Sequence, residues 1–290
     1  MCIRERNEIA QGVNYFDNAG ERHQLFADKV ILAASAIGTP RLLMNSKNTN
    51  GSKGISNSSG LVGKNLMIHP LGYAEGVFED VLDTDIGPQG CLIYSLEHYR
   101  NRELDFNLGY MMHVLRGTGP VEAATSAYSR RKLRFGEKLE GDFNDFYRKQ
   151  VSISIICDDL PQESNCVELS DELDRFGTPG VKIKYEVSDN TLQMMKDGMG
   201  KAKEILKLAG AKKTYAYGPV RNTGWHLMGT CKMGNDSKKS VVNAEGESHD
   251  VKDLFIVDSS CFVTGSCVNP ANTIQAVALY LTDRIINNHD

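Results

Sequence analysis

A chain of 290 residues carrying 33 Lys and Arg against 37 Asp and Glu, for a net charge of -4, lacks the basic surplus of a nucleic-acid binder. With 41% hydrophobic and 24% charged residues it has ordinary globular composition, sufficient for one large domain or two smaller ones with real cores. No apolar run approaches the roughly 18 residues of a membrane span, and the mixed-charge opening residues lack the apolar stretch of a signal peptide. The cysteines are scattered without a C-x-x-C pair. That pattern reads as free thiols in a reducing, cytoplasmic setting and argues against a zinc site.

In chain order, residues 9–16 read as a strand, 17–20 as turn chemistry and 23–27 as a returning strand. Residues 30–34 are an apolar run too short for a helix, expected to be a buried strand of parallel type. Thr39 is the expected N-cap and Pro40 the first residue of a helix over 41–44. Residues 46–60 read as a surface loop. Residues 121–149 are charged and expected to be helical. The alternation in 151–155 and 181–187, with a third strand at 166–169 and a loop at 174–180, predicts an antiparallel sheet with one face covered. Ser188, Asp189 and Asn190 offer N-caps for a long helix. Its Leu192, Met195, Met199, Ala202, Leu206 and Ala209 recur at helical spacing up to Gly210, and its methionines read as core filler. Residues 254–257 form a short apolar strand. Asn272 or Thr273 then caps a last helix with Ile274, Val277, Ala278, Leu281 and Ile285 along its apolar face. The fold class is α/β plus α+β.

Three places carry chemistry. His226, set among Gly224, Trp225 and Gly229, is by type either a structural hydrogen-bonder or a base. His23, His69, His98, His113, His249 and His289 gain nothing by position, and no metal-ligand spacing connects them. Asp258 ends the 254–257 run, either as a turn-starting residue or as a carboxylate at the strand end where ligands bind. Residues 269–273 are either plain capping or a helix start that attracts an anion. No strand–GxGxxG–helix unit occurs: the nearest glycine pair, Gly117 and Gly119, lacks the third glycine and the preceding strand.

Taken together, residues 27–43, 60–70, 225–234, 257–260 and 268–274 resemble, in order, the glucose–methanol–choline (GMC) family of FAD-dependent oxidoreductases. The chain is identified with the C-terminal part of that family, without the N-terminal GxGxxG half. The resemblance implies a partial Rossmann-like FAD-binding domain in 1–66 and an antiparallel-sheet substrate-binding domain in 67–214. A segment, 215–290, then returns to the FAD domain with the active site. It implies FAD as cofactor, His226 as base and Asn269 as the second active-site residue, holding the substrate oxygen. Asp258 and Ser259 fall where the family passes the FAD phosphates and ribityl, and Asn269, Pro270 and Thr273 where it lines the flavin's pyrimidine side. Ala33, Ala34 and Ser35 fall near the adenosine half, Ser35 where the family usually has glycine.

The implied reaction is oxidation of an alcohol (a sugar, sugar acid or polyol) by hydride transfer to flavin N5. The implied partners are that alcohol and the N-terminal FAD-binding half, from the same gene or a separate chain. The electron acceptor is not indicated. Two other accounts stand beside this one. One is a redox-inert remnant or assembly subunit unable to hold FAD alone. The other is a Ser–His hydrolase, against which the lack of a GxSxG elbow speaks.

Overall fold

The computed structural model describes residues 2–46, 54–87, 91–100, 104–129, 133–221 and 224–287. Strands β1 (Cys2–Arg6), β2 (Ile9–Phe16) and β3 (Arg22–Phe26) form an antiparallel three-stranded sheet. β1 goes beyond the sequence reading, which began at residue 9. Its charged Arg4, Glu5 and Arg6 hide the strand pattern, and pairing with β2 (Ile3 opposite Val13) reveals it. The short strand β4 (Val30–Leu32) follows and leads into helix α1 (Ser35–Asn45).

The start of α1 corrects the expected cap. Thr39 is interior to the helix, and so is Pro40. An interior proline has no N–H to give the carbonyl four residues back, here that of Ala36. Thr230 Oγ1 takes that place, donating to the Ala36 carbonyl at 2.7 Å. This substitute bond, worth about 1 kcal/mol, ties α1 to a loop far away in sequence. The expected surface loop at 46–60 is also corrected where it is described. Ser46 and residues 54–56 are buried, and Ser46 Oγ accepts the Ile3 N–H at 2.8 Å. Residues 47–53 of that expectation lie outside the described residues.

The middle of the chain builds a second sheet. Its strands are β5 (Leu71–Val77), β6 (Cys91–Ser95), β7 (Tyr110–Leu115), β8 (Gln150–Cys157) and β11 (Lys213–Tyr217). They pair antiparallel in the order β11-β5-β8-β7-β6. Residues 121–149, expected to be helical, carry two short α-helices among the described residues, α2 (Pro120–Ser129) and α3 (Leu139–Asn144), the second preceded by a turn of 3-10 helix at Gly136–Lys138; residues 130–132 of that expectation lie outside the described residues. The three strands expected to share one sheet do not. β9 (Cys166–Leu173) and β10 (Pro179–Lys184) form their own hairpin, packed on α1, while β8 pairs with β5 and β7. Alternation marks each as a strand but carries no information about its neighbour. β11 takes the sheet to Tyr217, past the boundary expected at 214.

Helix α4 (Asp189–Leu208) covers one face of this sheet. Ser188 caps it by accepting the Thr191 N–H at 3.2 Å, and Gly210 follows its end with φ of 100°. Its buried face carries Met194, Met195, Gly198, Ala202 and Leu206, while Leu192 of the expected stripe is exposed. Gly198 permits the close approach: a Cβ there would lie 2.7 Å from Ile155.

The chain then returns to the first unit. β12 (Leu254–Ile256) pairs parallel with β4, Leu254 opposite Val30 and Ile256 opposite Leu32. Parallel pairing puts both C-terminal ends at one edge, the ligand-binding edge of open α/β sheets. The middle residue of β4, Ile31, is 46% exposed. Helix α5 (Ala271–Asn287) closes the chain and packs Leu281 and Ile285 on Phe255 and Val257. The Pro270 carbonyl accepts its first bond, from Ile274 N at 2.8 Å. The cap is therefore Pro270, and Asn272 and Thr273 stand in the first turn. Among the described residues no helix is long and apolar enough to cross a membrane.

Candidate active site

Two segments distant in sequence meet at the foot of the second sheet. Met67 and Met228 form an antiparallel bridge and exchange both backbone hydrogen bonds at 3.0 Å. Counting outward, His69 stands opposite His226. The His69 N–H reaches the Trp225 carbonyl at 3.1 Å, a one-residue slip that accompanies a left-handed His226 with φ of 59°. Such backbone in a non-glycine residue is strained and collects at functional sites. Gly229, at φ of 93°, lets the loop pass: a Cβ there would lie 2.4 Å from the Asn65 carbonyl oxygen.

The rings of His69 and His226 join through their Nδ1 atoms at 2.8 Å, in an edge-to-face arrangement. His69 is fully buried. Burial, and then the neighbouring His226, bring its pKa down to about 4. His226 is half-buried, and burial holds its pKa below the ordinary histidine value. At neutral pH both rings are therefore uncharged, and His226 is ready to accept a proton. His113 of β7 stands near enough to feel His226, and burial lowers its pKa too. The sequence reading gave His69 no preference. Its signal was its place at the end of the 60–70 block.

The other expected site residues gather around Asp258. Its Oδ2 accepts the Ser35 N–H at 2.9 Å and the Thr39 hydroxyl at 2.6 Å, and its Oδ1 accepts the Ser260 N–H at 2.8 Å. The carboxylate thus ties the end of β12 to the turn between β4 and α1. Ser35 stands in that turn with φ of 67°, the region glycine enters without cost. Ala33, Ala34 and Ser35 are exposed and Ser259 is buried. The Ser259 carbonyl accepts the Gly229 N–H at 3.1 Å, joining this hub to the His226 loop.

Pro270 is buried, while Asn269, Asn272 and Thr273 are exposed. The Asn269 carboxamide makes no hydrogen bond among the described residues. The first N–H groups of α5 have no partner within the helix.

Behind His69 lie two buried carboxyls, Asp158 and Asp159, that the sequence reading passed over. Asp159 accepts the Tyr185 hydroxyl at 2.7 Å and the Ile68 N–H at 3.3 Å. Burial raises both carboxyls from 3.8 to about 6. A carboxyl that holds its proton more tightly when folded favours folding below its unfolded pKa. That help is lost as pH rises through 6, and above it the buried charge is a penalty. Asp159→Asn keeps an acceptor and removes the charge. The variant is expected to be more stable than the parent by about 1–3 kcal/mol near pH ~8, an advantage that fades by about pH 4. Denaturant midpoints across that range check this, and a constant difference counts against it.

The Ser–His account finds one contact among the described residues, Ser240 Oγ to His249 Nε2 at 2.9 Å. Ser240 is buried and also donates toward the Asp236 carbonyl at 2.6 Å, so it is not an exposed nucleophile. Cysteine is no better placed: burial raises the thiols of Cys157, Cys231 and Cys261, and takes Cys267 to about 12.

Known proteins share this arrangement of elements. Two family models described as GMC oxidoreductase match residues 1–71 and 161–278. A 2-methyl-1,2-propanediol dehydrogenase of Mycolicibacterium austroafricanum is 35% identical over 288 residues, 98% of this chain and 52% of that protein. A 6'''-hydroxyparomomycin C oxidase of Streptomyces lividus is 30% identical over 281 residues, 93% of this chain and 46% of that protein. A solved formate oxidase of Aspergillus oryzae has a TM-score of 0.70 at 16% identity, over 99% of this chain and 59% of that one, a likeness of fold. The chain spans about half the length of the relatives it matches. The His226 loop, the Asp258 hub and the start of α5 all fall inside the second family match, and β4, α1 and His69 inside the first. The chain belongs to the GMC oxidoreductase family.

Proposed function

We propose that this chain carries the catalytic half of an FAD-dependent oxidoreductase that converts an alcohol to a carbonyl. One observation carries the reading. A half-buried, uncharged His226 follows the exposed Trp225, and the exposed carboxamide of Asn269 stands at the entrance to α5. The residues present fit the cofactor. The N-terminal turn of α5 offers unpaired N–H groups and a positive dipole end, suited to the pyrimidine edge of a flavin. The exposed Ala33, Ala34 and Ser35, at the C-terminal end of a parallel strand, leave room for the adenosine half. Asn269, Pro270 and Thr273 would hold the ring, and the Asp258–Ser259 backbone would flank the phosphates and ribityl.

When bound, FAD supplies the two-electron acceptor for the hydride. His226 takes the hydroxyl proton on its Nε2. Asn269 donates a hydrogen bond to the substrate oxygen as negative charge grows there, without itself becoming charged. The substrate class we assign is a sugar, sugar acid or polyol, in keeping with the diol and aminoglycoside substrates named for the two relatives above. The test is anaerobic mixing of the FAD-loaded protein with a short diol, a hexose and a sugar acid. Bleaching of the visible flavin band by one of them supports the reading. A flavin band that none of them bleaches, in the protein joined to its N-terminal FAD-binding half, overturns it in favour of a redox-inert subunit.

A further inference from the structure

The bond between His69 and His226 poses a question of proton placement. It joins two Nδ1 atoms at 2.8 Å, so one of them carries the proton and the other offers a lone pair. If His69 were the donor, the only proton on neutral His226 would sit on Nε2, and that nitrogen could not act as a base. If His226 is the donor, its Nε2 is a bare lone pair.

The occupied nitrogens and the reading of His226 as a base together choose between these states. His69 is fully buried and held at about 4, so it is a neutral ring with a single N–H. Its Nδ1 is taken by His226, and its Nε2 has no hydrogen-bond partner among the described residues. The same bond occupies His226 Nδ1, so Nε2 is the nitrogen of His226 left to take a proton, and a base there must carry its own N–H on Nδ1. His69 Nδ1 is then the acceptor, and His226 donates.

We infer that His69 is a positioning residue that fixes His226 in the Nδ1–H tautomer and leaves Nε2 as the proton acceptor. This rests on the reading of His226 as the base. The partner of a catalytic histidine is commonly a carboxylate, which also raises the histidine's basicity. A neutral imidazole orients the ring without that effect, and accepts a stronger, charge-assisted bond once His226 is protonated. Other titratable groups lie around the pair: His113 of β7 acts on His226, and Asp159, after β8, accepts the N–H of Ile68 beside His69, with Asp158 next to it in the chain. None of them hydrogen-bonds to either ring, which leaves His69 as the group that sets the tautomer.

The substitution test separates orientation from simple packing. The side-chain oxygen of asparagine leaves Cγ as Nδ1 of histidine does, and it accepts a hydrogen bond; phenylalanine fills the space and accepts none. In the FAD-loaded protein, His69→Phe is expected to lower kcat about 10–100-fold, with KM within about twofold and a displaced acidic limb of the pH profile. His69→Asn should recover most of that loss. Independently of turnover, NMR of isotope-labelled histidine should place the single His226 proton on Nδ1 in the parent protein. A His69→Phe variant with parental kcat and pH profile overturns the inference, as does an Asn variant no better than Phe, or a His226 proton found on Nε2. If His226→Ala itself keeps normal turnover, the base reading fails first. If that variant is inactive while His69→Phe is normal, only the present inference fails.

Discussion

His226→Ala is expected to lower kcat by about 10²–10⁴-fold, the usual contribution of a positioned general base, while FAD stays bound. An alcohol gives up its proton reluctantly at neutral pH, so hydride departure from carbon needs a group that shares the proton. On the proposed reading His226 is that group: the Met67–Met228 bridge and the glycine at 229 hold its loop, and burial favours its neutral form. In the parent protein kcat/KM should rise with pH through an apparent pKa below the ordinary histidine value, because only the neutral ring can accept. In the variant that limb should vanish. A change confined to the proton-sharing step should leave the visible flavin spectrum intact. Stopped-flow reduction of the flavin under anaerobic conditions reads this step directly. Turnover within a few-fold of the parent would remove His226 from the mechanism.

Asp258→Ala is expected to have the largest effect on stability, a loss of about 3–5 kcal/mol. The carboxylate receives three bonds, from Ser35 N, Thr39 Oγ1 and Ser260 N, and it is buried. Alanine leaves those donors without their acceptor, each at a cost of about 1–3 kcal/mol. Against a domain stability of about 5–15 kcal/mol the loss is large. It also releases the left-handed turn at Ser35, so FAD retention should fall with stability. Asp258→Asn retains one acceptor oxygen and should lose roughly half as much. Denaturant titration with flavin release followed in parallel checks both variants. An alanine variant within about 1 kcal/mol of the parent would mean that the carboxylate is not the tie described.

Asp258 also shows how sequence and structure divided the work. Its place at the end of an apolar run marked it as either a turn residue or a ligand-facing carboxylate. In the fold both of its oxygens are committed within the chain, so on the proposed reading it would meet a cofactor through its backbone and the shape of the turn it holds. Pro40 is similar. By local rules it belongs in the first turn of a helix, yet α1 carries it in the interior because Thr230, remote in sequence, satisfies the carbonyl it leaves behind.

What the sequence determined by itself was local and chemical. It marked β2, β4, β8 and α4 through their periodicity, the base type at His226, the amide at Asn269, and the family through ordered blocks of side chains. What only the tertiary structure decided was partnership. It put β9 and β10 on α1 instead of in the second sheet, paired β4 with β12 across most of the chain, and set His69 against His226. Periodicity states which face of an element is apolar, but the identity of the neighbour follows from long-range register and packing, which no local window contains. His69 was unremarkable in its own segment. Its role arises because an antiparallel bridge between residues 67 and 228 brings the two imidazoles within one hydrogen bond of each other.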